Sequence, residues 1–273
     1  MRIANHLAAA TAILFATAAQ AAPNCARQTI PIDSNQIWVD LQGQGKTTVV
    51  FEAGFGNDSS VWAKITPRIR AADARTLVYD RPGMGKSTFT TKTRYSLQND
   101  SLTLKTLLTA CNITGPIVFV GHSYGGAIGL FDAQTDSRIA GIVLVDAVVP
   151  HVNPPVEIAA TLAKMRAQYE DILIEAPNLA RVAIPFAEKY AATNQTIDAI
   201  RIPKTLPVID IVAGRGRPEP AAQEAWEKAH ADFAAMQPNR QEILAVRSTH
   251  KVMDDNPDLI VAAILKMVAQ VGK

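Results

Sequence analysis

An excess of charge of either sign is missing from this sequence. Its 273 residues include 27 lysines and arginines against 25 aspartates and glutamates, a formal net charge of +2. Proteins that bind nucleic acids usually concentrate basic residues on one face or along one helix, and the sequence has no such basic stripe. We therefore expect no nucleic acid among the partners of this protein.

Internal repeats, low-complexity blocks and apolar runs long enough to span a membrane are also missing. The apolar stretch at residues 7–19 is shorter than the about 20 residues that a transmembrane helix needs, so we expect no stable membrane span. This stretch follows Arg2 and precedes Ala19-Gln20-Ala21, the pattern of a secretory signal peptide with its cleavage site. We assign residues 1–21 to a signal peptide and expect an exported protein, periplasmic or secreted. An uncleaved apolar anchor is the competing interpretation.

Cysteine is scarce as well. Only Cys25 and Cys111 occur, and both lie beyond the predicted cleavage site. In an oxidising compartment, two cysteines in an exported chain most simply form a disulfide. That bond would tie the N-terminal segment to the end of the helix before residues 116–120. Two free thiols are the alternative.

The rest of the chain, residues 22–273, has the composition of one globular domain. Hydrophobic residues make up 48% of the sequence, which at this length supplies a large buried core. Apolar segments typical of strands alternate with segments of helical spacing, and such a series forms a mostly parallel sheet with helices on both faces. The predicted class is therefore α/β. We predict strands at 28–32, 36–41, 47–51, 76–79, 116–120, 139–145, 208–213 and 242–246, and helices near 61–69, 97–111, 125–130, 221–236 and 258–268.

One segment, residues 147–206, breaks this alternation. It is rich in alanine, contains several prolines, and shows helical spacing near 156–172 and 178–192. Because it interrupts the series after the sixth strand, we interpret it as a helical cap over the functional site.

A candidate nucleophile lies in the pattern Gly121-His122-Ser123-Tyr124-Gly125. An apolar run at 116–120 precedes the pattern and small residues follow it, so it joins a strand to a helix through a sharp turn. This arrangement is the nucleophile elbow, in which the serine takes a strained backbone conformation and flanking side chains would clash with the strand and the helix. We predict Ser123 as the nucleophile; an ordinary glycine-rich turn is the alternative.

A serine hydroxyl needs a base to act as a nucleophile at neutral pH. His250 follows the last predicted strand, in a loop that can reach back over the sheet edge, so we predict it as the base. His122 is expected to be a packing residue of the elbow, because neighbouring side chains point apart. His151 and His230 are expected to be incidental to the site.

The base in turn needs a carboxylate that orients it. Asp146 directly follows the aliphatic strand at 139–145, where an acid is costly to bury unless it has a partner. We predict Asp146 as the catalytic acid. Glu219, just past the strand at 208–213, is the alternative acid, and Asp210 inside that strand, for which we find no partner in the sequence, is a further one; the absence of any acid also stays open.

Acyl transfer also needs N–H donors for the oxyanion that develops in the transition state. The backbone N–H of Tyr124, at the start of the helix, is one candidate, and that of Phe55 is the second. Gly54 and Gly56 allow the Phe55 loop to approach a substrate closely. A plain glycine turn is the alternative for this loop.

Residues 83–87, Gly-Met-Gly-Lys-Ser, match the end of the phosphate-binding pattern Gly-x-x-x-x-Gly-Lys-Ser. The first glycine of that pattern is replaced by Asp80, whose carboxylate would repel phosphates. We therefore do not expect nucleotide binding, and the sequence implies neither an organic cofactor nor a metal.

Together these segments resemble the α/β-hydrolase superfamily over nearly the whole chain beyond the signal peptide. The resemblance implies Ser123 as the nucleophile, His250 as the base, and Phe55 and Tyr124 as the oxyanion donors. It is carried by residues 51–56 (Phe-Glu-Ala-Gly-Phe-Gly), 79–87 (Tyr-Asp-Arg-Pro-Gly-Met-Gly-Lys-Ser), 121–126 (Gly-His-Ser-Tyr-Gly-Gly), 143–147 (Val-Leu-Val-Asp-Ala), 249–250 (Thr-His) and 256–257 (Asn-Pro).

The turn after the strand at 208–213 departs from this family pattern. Many members carry the acid there in a Gly-x-x-Asp turn, but here the turn ends in Arg217 where aspartate is expected. Some members, including certain lipases and dehalogenases, place the acid after the preceding strand, which matches Asp146. Serine at the elbow argues against dehalogenase chemistry, which uses aspartate there.

The expected function is a serine hydrolase, most simply one that cleaves a small-molecule carboxylic ester or a related acyl substrate through a Ser-His-Asp triad. A peptidase or amidase of the same fold is the second interpretation. The third is a binding protein that keeps the fold without turnover, and its only support is the missing acid at the usual turn.

Overall fold

The computed structural model describes residues 25–90 and 92–272 of the chain, so the predicted signal peptide lies outside the described residues. Within them, eight strands form one sheet in the order β1-β2-β4-β3-β5-β6-β7-β8. Strand β2 runs antiparallel to its neighbours β1 and β4, and the other neighbouring pairs are parallel. The predicted α/β class is confirmed. The strands are β1 (Gln28–Ile32), β2 (Asn35–Gln42), β3 (Thr48–Glu52), β4 (Arg75–Tyr79), β5 (Ile117–His122), β6 (Ile139–Val145), β7 (Val208–Arg215) and β8 (Arg240–Thr249).

Helices cover both faces of the sheet, and the reason lies in the alternation of side chains along its central strands. In β5, Ile117 and Phe119 belong to one apolar cluster, whereas Val118 and Val120 belong to another. Both faces of each central strand are buried, which is why these strands are apolar throughout. Each fully buried aliphatic side chain contributes about 1.5–3 kcal/mol. The helices are α1 (Thr66–Arg70), α2 (Leu97–Ala110), α3 (Tyr124–Asp132), α4 (Pro155–Ala167), α5 (Tyr169–Glu175), α6 (Pro177–Asp198), α7 (Pro220–Ala235), α8 (Val252–Asp255) and α9 (Pro257–Val271).

The single helix predicted near residues 61–69 is wrong in one respect, because the structure divides it. A 3-10 turn covers Ser59–Trp62, and α1 begins at Thr66 with Pro67 in its first turn. Proline has no N–H and disrupts a helix interior, but the first turn tolerates it. The last strand also differs, since β8 is longer than the predicted 242–246 at both ends.

Three helices, α4 to α6, follow the sixth strand in the segment predicted as a cap. Among them only α6 has buried positions, which include Val182 and Phe186, so this helix packs against the body of the protein. Helices α4 and α5 are more exposed.

A disulfide joins Cys25 to Cys111, with the Cα atoms 5.6 Å apart, so the predicted pairing is present. Cys111 directly follows α2, and the carbonyl of Cys25 accepts a hydrogen bond from the N–H of Leu41 at 2.7 Å. The bond therefore anchors the first described residue to α2. Among the described residues, no helix combines the length and the apolar character that crossing a membrane requires.

Candidate active site

Ser123 lies between the end of β5 and the first residue of α3. Its backbone has φ 52° and ψ −125°, a conformation that residues with a side chain rarely adopt. Three backbone hydrogen bonds hold this conformation: Ser123 N–H donates to Val145 at 3.1 Å, and the Ser123 carbonyl accepts from Gly126 and Val148, each at 3.0 Å. The strained backbone of Ser123 is therefore stabilised by hydrogen bonds to both its N–H and its carbonyl group.

The two glycines of the elbow pattern are required by close backbone approaches. A Cβ on Gly121 would lie 2.5 Å from the Cα of Gly126, and a Cβ on Gly125 would lie 2.5 Å from the carbonyl oxygen of Glu52. Neither neighbour is a flexible side chain that could move away. The pattern Gly-x-Ser-x-Gly thus has a steric cause in this fold.

His250 and Asp146 lie side by side. His250 follows β8, Asp146 follows β6, and Nδ1 of the histidine is 2.5 Å from Oδ2 of the aspartate. The other carboxylate oxygen accepts from the backbone N–H of Ala213 at 3.0 Å and from Nε1 of Trp226 at 2.8 Å. Burial opposes ionisation of Asp146, but the hydrogen bond from His250 and the charge of Arg217 lower its pKa below the usual value. The buried acid therefore has the partners that its position demands.

The alternative acids are arranged differently. Glu219 is exposed at the start of α7, and the hydrogen bonds of the described residues include none between it and His250. Asp210 is fully buried in β7, and its Oδ2 is 2.7 Å from Nδ1 of His230. Asp210 therefore has a partner that could not be identified in the sequence. The pair leaves no signal in the sequence because its members are on different elements, which meet only when α7 packs on β7.

The remaining histidines also differ from one another. His230 is fully buried, and it does not line the Ser123 cavity. His122 is buried next to the site, and its Nε2 is 2.9 Å from the carbonyl oxygen of His250, a contact that a packing role alone does not describe. His151 is exposed before α4, as expected of a residue outside the site.

Ser123 and His250 line one cavity of about 360 Å³. The described residues include no hydrogen bond between Ser123 Oγ and His250, and such bonds are often formed only when a substrate is bound. Trp226 and Arg217 also line the cavity, from α7 and from the turn before it. Helices α4 and α6 contribute Glu157, Thr161, Met165, Phe186, Tyr190, Thr193, Asn194 and Ile197.

The Phe55 loop begins where β3 ends. The turn and loop hydrogen bonds of the described residues include none donated by the backbone N–H of Phe55 or of Tyr124, so both donors remain available. The Phe55 ring stacks on Phe186 of α6 with ring centroids 3.8 Å apart, and the Tyr124 ring is nearly perpendicular to the Phe186 ring, with centroids 5.0 Å apart.

The buried ion pair between Arg81 and Glu52 positions the Phe55 loop. Arg81 donates to the side chain of Glu52, to the carbonyl of Ala53 at 2.6 Å and to the carbonyl of Gly54 at 2.7 Å. Burial raises the pKa of Glu52 to about 7, although Arg81 acts in the opposite direction. The sequence motif that contains Arg81 could be recognised from the sequence, but the contact of Arg81 with the Phe55 loop could not be predicted from it.

In the segment that resembles a phosphate-binding loop, a carboxylate of the protein itself accepts backbone N–H hydrogen bonds. Asp80 accepts hydrogen bonds from the backbone N–H groups of Ser59 and Lys86, each at 2.8 Å. Those N–H groups are thus already paired. Among the described residues there is no group of three or more histidine, cysteine, aspartate or glutamate side chains that could hold a metal ion.

Comparison with known proteins agrees with this architecture. The uncharacterized protein YqjL of Bacillus subtilis is 24% identical over 225 residues, which cover 82% of this chain and 84% of that protein. An alpha/beta hydrolase fold protein from Burkholderia ambifaria has a TM-score of 0.67 at 22% identity, over 88% of this chain and 97% of that chain. A putative lipase, Lip1, from Acinetobacter baumannii AYE has a TM-score of 0.69 at 16% identity, over 90% and 91% of the two chains.

The two solved structures show a shared fold. The model of the alpha/beta hydrolase family matches residues 49–263, from β3 to the middle of α9, and so covers most of the chain. The protein belongs to the alpha/beta hydrolase family.

Proposed function

We propose that this protein is a serine hydrolase that cleaves carboxylic esters of small molecules. One observation carries the proposal: His250 contacts the buried carboxylate of Asp146 at 2.5 Å and lines the same cavity as Ser123. The name of the Acinetobacter protein agrees with ester hydrolysis, but at 16% identity it bears on the fold alone. The proposal therefore rests on the side chains of this chain.

In the proposed reaction, Oγ of Ser123 attacks the acyl carbon and Nε2 of His250 takes the hydroxyl proton. Asp146 accepts the Nδ1–H of His250, which fixes the tautomer and stabilises the imidazolium. The N–H groups of Phe55 and Tyr124 donate to the oxyanion. His250 returns the proton to the leaving alcohol, and water then releases the acid from the acyl-enzyme by the same steps.

Helices α4 to α6 act in this proposal as the cap over the reaction centre. Support comes from the side chains that α4 and α6 contribute to the Ser123 cavity, and from the stacking of Phe186 on Phe55. The cap then determines which acyl and alcohol groups fit.

A fluorophosphonate probe followed by peptide mass mapping tests the mechanism without knowledge of the substrate. We expect stoichiometric labelling of Ser123 in the wild type and none in Ser123→Ala or His250→Ala. His151→Asn is the matched control, because His151 is exposed and has φ 65°, which asparagine tolerates. Folded wild-type protein that resists the probe would contradict the proposal and favour a binding protein.

The acid and the reaction class are tested separately. Asp146→Asn is expected to lower ester turnover by about a hundredfold or more, and Glu219→Gln to leave it within a few-fold. The reverse pattern would transfer the role of acid to Glu219.

Turnover of aminoacyl amides without turnover of simple esters would favour a peptidase or amidase.

Export is a further part of the proposal, and the Cys25–Cys111 disulfide supports it because such bonds persist in oxidising compartments. We expect protein recovered from the periplasm or the medium to begin after residue 21 and to contain the oxidised pair. Intact mass under denaturing, non-reducing conditions with a thiol-alkylating reagent checks both. An uncleaved N-terminus would contradict the signal peptide and favour the apolar anchor, and two alkylated cysteines without reductant would contradict the disulfide.

A further inference from the structure

Arg217 brings a positive charge into the Ser123 cavity. It follows β7 in the turn where the family resemblance leads one to expect an aspartate, and it lines the cavity together with Ser123 and His250. Its guanidinium lies on the indole of Trp226, with Cζ 3.5 Å from the ring centroid. Such stacking holds the flat group in one orientation.

Most donors of this guanidinium have no partner among the residues that the structure describes. The group carries five N–H donors. Nη1 donates to the carbonyl of Gly216 at 2.9 Å and lies 3.5 Å from Oδ2 of Asp146. The hydrogen bonds of the described residues include none from Nε or Nη2, and the side chain is 21% exposed. One edge of the guanidinium is therefore free to bind a ligand.

Asp146 does not explain the presence of Arg217. Both oxygens of that carboxylate already accept shorter hydrogen bonds, from Ala213, Trp226 and His250. The other acidic side chain that lines the cavity, Glu157, is exposed on α4 and makes no hydrogen bond to Arg217 in the described part of the chain. Burial lowers the pKa of Arg217, as expected of a cation whose lost hydration is only partly replaced.

We propose that Arg217 recognises a carboxylate on the substrate, so that the preferred substrates are esters that also carry a free carboxylate. This inference rests on the proposed function. A stacked guanidinium with a free edge forms two parallel hydrogen bonds to a carboxylate, which a neutral amide cannot match. The carboxylate binds at Arg217 while the ester group is attacked by Ser123, and hydrolysis yields an acid and an alcohol, one of which retains the original carboxylate.

The test compares esters that differ only in a carboxylate or a carboxamide. One series has the group on the acyl side, as in monoethyl esters of C4 to C6 dicarboxylic acids, and the other has it on the alcohol side, as in 3- and 4-acetoxybenzoate. In at least one series we expect kcat/KM of the wild type to favour the carboxylate by about tenfold to a hundredfold, the range for a charge-assisted hydrogen bond. Arg217→Gln is expected to reduce this ratio to near one, and Arg217→Lys to an intermediate value.

Arg215→Gln is the matched control, because it removes an exposed positive charge two residues away that does not line the cavity. An equal fall of the ratio in Arg215→Gln and Arg217→Gln would overturn the inference, since a long-range field would then explain the preference. If Arg217 only supported Asp146, Arg217→Gln would slow both members of each pair equally, which would also overturn it.

Binding is measured without turnover of the test ester. Adipate should slow fluorophosphonate labelling of Ser123 in the wild type at lower concentration than its diamide, adipamide, does, and Arg217→Gln should lose this difference. If Ser123 is labelled but the kcat/KM ratio of carboxylate ester to carboxamide ester is near one in both series, the inference is overturned and the proposed function stands. Absence of both labelling and turnover overturns the proposed function, and this inference with it.

Discussion

His122 and His250 are joined through a backbone carbonyl: Nε2 of the His122 ring lies 2.9 Å from the carbonyl oxygen of His250. Burial, together with the neighbouring His250, lowers the pKa of His122 to about 4. The ring is therefore neutral at pH 7, and with its proton on Nε2 it donates this hydrogen bond. The contact links the loop that carries His250 to the strand that leads into Ser123.

Replacing His122 by phenylalanine should loosen that loop. The variant keeps a ring in the buried site but leaves the carbonyl of His250 without its donor, a loss of about 1–3 kcal/mol. We expect kcat for an ester to fall by about tenfold or more with little change in KM, because substrate binding does not need this donor. Steady-state kinetics check the split, with His151→Asn as the control. Unchanged kcat in folded protein would mean that other contacts hold the loop.

His122 also predicts a pH dependence of stability. Its folded pKa of about 4 lies below the ordinary value of 6.5. Between these two values the unfolded chain binds a proton that the folded protein excludes, so the free energy of unfolding falls as the pH decreases from 6.5 to 4. Burial, His250 and Arg217 lower this pKa, and their effect exceeds that of Asp146 and of the hydrogen bond to the His250 carbonyl, which raise it.

The measurement is urea unfolding of the wild type and His122→Asn at several pH values. Glu52, with its pKa raised to about 7, acts in the opposite direction over part of this range, so the difference between the two proteins is the quantity to follow. We expect any stability advantage of the wild type over the variant to shrink as the pH falls from 6.5 to 4. A difference that is constant with pH would contradict a buried neutral His122.

Arg81 should act as a positioning residue for the Phe55 loop. It holds the carbonyls of Ala53 and Gly54 with separate nitrogens, and lysine cannot reproduce this fork. Arg81→Lys is expected to lower kcat by about tenfold to a hundredfold, the effect of a misplaced oxyanion donor. It should also lower the free energy of unfolding by up to about 3–5 kcal/mol, since the buried pair with Glu52 is disturbed.

Arg68→Lys provides the control for Arg81, because the Arg68–Asp258 pair is exposed and should contribute at most about 1 kcal/mol. Ester kinetics and urea unfolding of both variants distinguish the two roles. Wild-type kcat in a destabilised Arg81→Lys protein would show that the pair serves stability alone.

Much of the fold could be predicted from local pattern, because each strand of a buried parallel sheet is an apolar run and each helix repeats its apolar residues every three or four positions. The predicted sheet and its class are confirmed on that basis. The boundary at Pro67 was missed because helical spacing continues across it from Val61 to Ile69, although the proline allows a helix only to begin there.

The site was less accessible to sequence analysis, since its parts meet only in three dimensions. Ser123 stands in a motif and Asp146 follows an aliphatic strand, so both could be singled out, and their catalytic roles stay predictions. No local signal paired Asp210 with His230, placed His122 against the His250 loop or brought Arg217 onto Trp226. Each of these contacts joins residues on different elements, and only the packed fold brings them together.

The Cys25–Cys111 disulfide should make stability depend on reductant. It joins residues 86 positions apart, and closing a loop of this length in the unfolded chain contributes up to about 4–5 kcal/mol in the chain-entropy model. We expect the wild type to unfold at lower urea concentration after reduction, and Cys25→Ser/Cys111→Ser to match the reduced wild type with or without reductant. Equal midpoints for oxidised and reduced wild type would show that the bond contributes nothing to stability.

Phe186 should limit the length of the acyl group. A second cavity of about 270 Å³, lined by Ile172 and Leu179 among other apolar residues, shares Phe55, Met165 and Phe186 with the Ser123 cavity. Phe186→Ala removes a ring that lines both cavities, and we expect this change to connect them. Each methylene that enters the apolar cavity should then raise kcat/KM by roughly fourfold relative to a short ester, from about 0.8 kcal/mol per buried methylene.

Neutral 4-nitrophenyl esters from acetate to octanoate measure this preference as a ratio of long-chain to short-chain kcat/KM. The truncation also removes core packing worth about 3–5 kcal/mol, so Phe186→Leu serves as a milder variant with the same expected direction. Leu173→Ala is the control, because Leu173 is 55% exposed on α5 and lines neither cavity. If both Phe186 variants kept the chain-length profile of the wild type, the ring would not be the barrier, and Met165, which also lines both cavities, would be the next residue to replace.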